Sequence, residues 1–177
     1  MTLTAYKASV PVFITVLTNM KAWLDKAAAQ KAEGELIEAR LAPDMYPLAK
    51  QFQLVSDSAK GCGARLAGVD APSMPDTEAS FAELKERCDK TIAFLEGLDP
   101  AAVDAGLARE IELKFPNGGG MRFDGQTYLT GFVLPNVYFH AGMAYAILRA
   151  AGVDVGKLDF LAHLGPYVFP PSEKADA

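Results

Sequence analysis

The sequence predicts an all-α fold, a four-helix bundle with a small β-hairpin inserted, and three observations carry the prediction. Three apolar stripes with spacings of three and four residues precede Gly97, a short stretch after Arg109 switches to strict alternation, and Phe123 to Ala151 reads as one long apolar helix. Three helices before the hairpin and one after it leave a crossover between the third and the fourth.

In the first helix, expected from about Thr4 to Lys31, Tyr6, Val10, Phe13, Leu17, Met20 and Leu24 form an alternating four-three stripe, with Pro11 in the first turns and Glu33-Gly34 as the close. The second is expected to start near Pro43, since a first-turn proline gives up no needed N–H, and to end at Gly68. Its stripe is Met45, Leu48, Phe52, Val55, Ala59, Cys62 and Leu66; Gln51 lies at the margin, while Gln53 and Asp57 project away from the centre. Prolines mark Val69 to Glu78 as a loop, with Asp76 or Thr77 as cap for a third helix built on Phe81, Leu84, Cys88, Ile92 and Leu95 and ended by Gly97. Next, Ile111, Leu113 and Phe115 alternate with charged residues, PNGGG is a turn signal, and Met121 and Phe123 continue beyond it, which is a hairpin. The glycines do not make a phosphate loop, because no Gly-Lys-Ser/Thr and no helix start accompany them. The fourth helix follows Asp124-Gly125, is bent by Pro135 and stops at Gly152; Val153 to Pro171 is a short packed turn followed by a tail.

Length and composition narrow the function. The 177 residues suit one domain, 1–171, with a tail at 172–177, and 50% hydrophobic with 22% charged residues is a globular composition. A net charge of -5 without a basic cluster argues against nucleic acid and anionic membranes, so a small molecule or a second copy is the partner to expect. No apolar run approaches the roughly 18 residues that span a bilayer. Ser9 to Leu17 lacks the flanks of a signal peptide, so a cytoplasmic protein is expected. Cys62 and Cys88 form no disulfide framework and no CxxC pair, and read as reduced, buried thiols.

The chemistry concentrates in the fourth helix. Leu129, Phe132, Asn136, His140, Met143 and Ile147 share one face, so an amide and an imidazole four residues apart point inward together, close to the carbonyl that Pro135 frees. They serve either as ligand-facing groups or as a polar pair that satisfies itself. With two histidines in total, His140 and His163, no nucleophile elbow and no His-Glu-x-x-His, other catalytic devices are missing.

The phrases LPNVYFHAGMAYAILRAAGV and GKLDFL, with RLAPDMYPLAKQFQ and SFAELKERCDKT, resemble a bacterial domain family of unknown function in the DinB/YfiT-like bundle superfamily. The resemblance implies a DinB-like fold, a homodimer, and a zinc or nickel site made by one histidine of the second helix and a His-x-x-x-His pair of the fourth. Aligning Leu148, Arg149 and Gly152 with that motif puts His140 on its second histidine and Asn136 on its first. Gln51 or Gln53 stands where the second helix would supply a histidine, and Asp57 joins only if that helix is rotated. Neutral amides are weak donors, so the expected cofactor is none tightly bound, with a weak divalent metal on His140, Asn136, Gln51, Gln53 and Asp57 as the most this set offers. Three functions stay open: a small-ligand-binding or regulatory bundle using His140, Asn136 and Gln51, a metal-dependent enzyme like the superfamily's thiol transferases, and a structural dimer.

Overall fold

A computed structural model describes residues 3–169; the tail expected at 172–177 lies outside that range. Helix α1 is Ala5–Ala28, α2 Glu33–Leu36, α3 Leu48–Ala67, α4 Phe81–Glu96 and α5 Pro100–Ala105. Strands β1 (Glu110–Lys114) and β2 (Gly120–Asp124) pair antiparallel, with Ile111 opposite Phe123 and Leu113 opposite Met121. A single long helix comes next, built from α6 (Gly125–Thr127), a π-helical turn (Tyr128–Val133) and α7 (Leu134–Ala150); α8 (Lys157–Phe160) and a 3₁₀ turn close the described chain. The fold is therefore mostly helical with one two-stranded sheet among the described residues, as the periodicity predicts.

The bundle is centred on α3, which packs against α1, α4, α5 and α7. Its sequence suits that place, because Gly61, Gly63, Ala59 and Ala64 let neighbours approach and only five of its 20 residues escape burial. Contact on several sides also explains why polar Gln51, Gln53, Ser56 and Lys60 are buried. Gly68, at φ 73°, ends the helix in the left-handed region that glycine adopts at no steric cost.

Three boundaries differ from expectation. The second long helix starts at Leu48 and not near Pro43: Leu48 and Ala49 donate back to the carbonyls of Ala39 and Ile37, which folds residues 39–47 into a loop, and Pro47 takes the cap position. Ser80, and not Asp76 or Thr77, caps α4, its Oγ accepting from Glu83 N–H at 3.2 Å while Glu83 accepts from Ala79 N–H and Ser80 Oγ, a capping box displaced by one residue. The first helix ends at Ala28, and Glu33-Gly34 begins the short α2.

The long helix from Gly125 to Ala150 is long and apolar enough to cross a membrane by length and composition, which a search for an unbroken apolar run does not register. In this fold it lies against α1 and α3. Where a bend is expected at Pro135, the helix carries a π turn just before it. Leu134 N–H reaches Leu129 O, one residue further back than in an α-helix, and Pro135 then has no N–H to place. The deepest face of α7 runs through Val137, Ala141, Ala144 and Leu148, whereas Asn136 and Met143, expected at its centre, sit half-buried at the flank. Two neighbours broaden the buried face, and the small alanines take the closest contact.

Candidate functional site

Where α3 faces α7, the sequence-predicted polar residues meet. His140 is buried at 9% exposure and Gln51 at 2%, and His140 Nδ1 lies 2.8 Å from Gln51 Oε1. The other end of that amide fixes the protons. Gln51 Nε2 donates to the Tyr46 carbonyl at 3.0 Å, so Oε1 must be the atom that faces His140, and Nδ1 must carry the hydrogen. Burial lowers the imidazole pKa from its ordinary 6.5, which keeps the ring neutral. Its Nε2 then holds a lone pair with no hydrogen-bond partner among the described residues.

One turn earlier Asn136 Nδ2 lies 2.7 Å from Ser58 Oγ. Ser58 stands seven residues after Gln51, two turns along the same face of α3. Each inward residue of α7 thus has a partner on α3, and the spare polar capacity at the site is His140 Nε2 and one end of the Asn136 amide. The exposed ring of Phe139 stands edge-on to His140 with centroids 5.1 Å apart, and the loop that supplies the Tyr46 carbonyl also exposes the Tyr46 ring.

Gln53 and Asp57, the other predicted ligands, turn away from this set. Gln53 Nε2 donates to Glu78 at 2.9 Å, and Asp57 binds Lys60 at 2.6 Å and Arg87 at 2.7 Å. The helix is not rotated in the way that would bring Asp57 to His140. Both belong to a network around Arg87, 2% exposed, which also pairs with Asp76 at 3.0 Å and Glu78 at 2.8 Å and donates to the Pro75 carbonyl. Burial would raise the Glu78 carboxyl, but hydrogen bonds from Arg87, its own backbone and Gln53 hold it below its usual 4.5. Sequence reading missed this network because ELKERCDK looks like a solvated charge run. The acidic residues in the preceding proline-rich loop were the only hint.

A zinc or nickel ion fits these residues poorly. The set has one imidazole and two neutral amides, one of which is already spent on that imidazole and on a backbone carbonyl. No group of three His, Cys, Asp or Glu side chains with metal-site spacing occurs among the described residues. Cys62 and Cys88 are buried in apolar surroundings that push both thiols up to about 12, so neither offers a thiolate.

The fold defines a helical bundle of the DinB type. A family model described as a domain of unknown function, DUF1993, matches residues 5–161, and the chain belongs to that family. A crystal structure of a DinB family member protein from Shewanella denitrificans is similar at 36% identity, over 93% of this chain and 95% of that one, with a TM-score of 0.81. No curated protein matches the chain.

Proposed function

We propose that this DinB-like protein is a small-ligand-binding or regulatory bundle in which a direct hydrogen bond stands where the superfamily's triad would place a metal. The observation that carries the reading is the Gln51–His140 bond, since it joins two of the residues that the resemblance aligns with the triad, fixes the tautomer and leaves Nε2 as an acceptor for a ligand hydroxyl, amine or amide. Burial lowers the ring's basicity, so near neutral pH this acceptor is unprotonated. The same reading, by analogy with the superfamily, makes the protein a cytoplasmic homodimer.

Elemental analysis of protein purified without a histidine tag tests it, with His140→Ala as control. The expected result is far less than one zinc or nickel per chain in both proteins, even after incubation with micromolar zinc. About one metal per chain that disappears in the mutant would favour the metal-dependent enzyme reading instead.

A further inference from the structure

We propose that a cavity between α1 and the C-terminal segment is a second binding site, suited to an uncharged planar molecule with an amide or lactam edge. The cavity measures about 260 Å³, slightly under the usual range for drug-sized ligands. Thr15, Asn19 and Trp23 of α1, Tyr138 of α7, Phe160 and His163 line it, and no Asp, Glu, Lys or Arg does. It is not the mouth of the His140 site: Tyr138 and His140 stand two positions apart, a turn of about 200° around the helix.

Its hydrogen bonds determine what it would recognise. Asn19, only 7% exposed, donates from Nδ2 to the Phe160 carbonyl at 2.9 Å, which orients the amide. The same Nδ2 lies 3.4 Å from His163 Nδ1. An amide nitrogen only donates, so Nδ1 accepts and the ring's N–H sits on Nε2. Asn19 Oδ1 is left as an acceptor and His163 Nε2–H as a donor, neither with a partner among the described residues. A carboxamide or lactam carries the complementary pair, an N–H beside a C=O. Trp23 and Phe160, stacked with centroids 5.2 Å apart and ring planes at 28°, and the half-exposed Tyr138 make an aromatic wall for a flat molecule. With no cation in the lining, a carboxylate in the same place would lose its hydration uncompensated.

The chain has one tryptophan, so its single indole N–H resonance reports on this wall alone. Titrating isotope-labelled full-length protein with nicotinamide, a planar carboxamide, is expected to move that resonance saturably. Nicotinate, its charged isostere, is expected to bind about tenfold more weakly or worse. His163→Phe, at an exposed position, removes the donor but keeps a ring, and Thr15→Phe fills the cavity; both are expected to abolish the nicotinamide shift while the spectrum stays that of folded protein. No saturable shift in the wild type, an equal response to nicotinate, or a shift that survives both substitutions overturns the proposal.

Discussion

At residue scale, His140 ties stability to pH. Its folded pKa lies below its unfolded 6.5, so in the interval between the two values the unfolded chain binds the proton first. Stability is therefore full above about 6.5 and declines as pH falls toward the folded value. Urea titrations of the wild type at a series of pH values are expected to show this decline, and His140→Ala to lack that part of it. The same substitution leaves Gln51 Oε1 unpaired in a buried place and is expected to cost about 1–3 kcal/mol at pH 7.5. Arg87→Met breaks a larger set. About 3 kcal/mol is expected, near the low end for a broken buried ion pair because Asp57 and Asp76 keep 38% and 35% side-chain exposure, along with faster proteolysis in the loop Val69 to Glu78. The first of these sites was legible in the sequence. Asn136 and His140 announce themselves as polar residues four apart in an apolar helix, and Gln51 as a margin residue. Arg87 was not, since a buried cation has no periodic signature and its partners come from another helix and a loop.

At the scale of elements, stripes and stops were readable and starts were not. Gly68 and Gly152 mark ends where the backbone turns left-handed, at φ 73° and 84°, which glycine adopts at no steric cost. The start at Leu48 depends on hydrogen bonds to Ile37 and Ala39 across a turn, so a proline five residues earlier misleads. Where two elements touch through backbone, glycine is required. A Cβ on Gly125 would fall 2.0 Å from the Gly106 carbonyl oxygen, at the junction of the hairpin, the turn after α5 and the long helix. Gly125→Ala is expected to lower stability by about 1–3 kcal/mol, seen as a reduced urea midpoint with an unchanged m-value.

For the whole molecule, the apolar periodicities foretold a bundle, but its centre could not be read. Only the assembled contacts show that α3 is enclosed on several sides, and that enclosure buries Gln53, whose spacing suggested solvent, together with Lys60. Enclosure also protects both thiols. Cys62 and Cys88 are fully buried with pKa values pushed up to about 12, so a thiol-specific disulfide reagent at pH 8 is expected to label neither in native protein and both in urea. Labelling of Cys62 without denaturant would mean that α3 separates from its neighbours far more often than a packed core allows.

The π turn at Tyr128–Val133 holds one residue more than an α-helical turn, so it takes up the extra residue locally. Deleting Gly131 would let the turn close as ordinary α-helix, with Gly125 still against Gly106 on one side and His140 still on Gln51 on the other. The turn is slack in the helix, where its length can change while both ends keep their moorings.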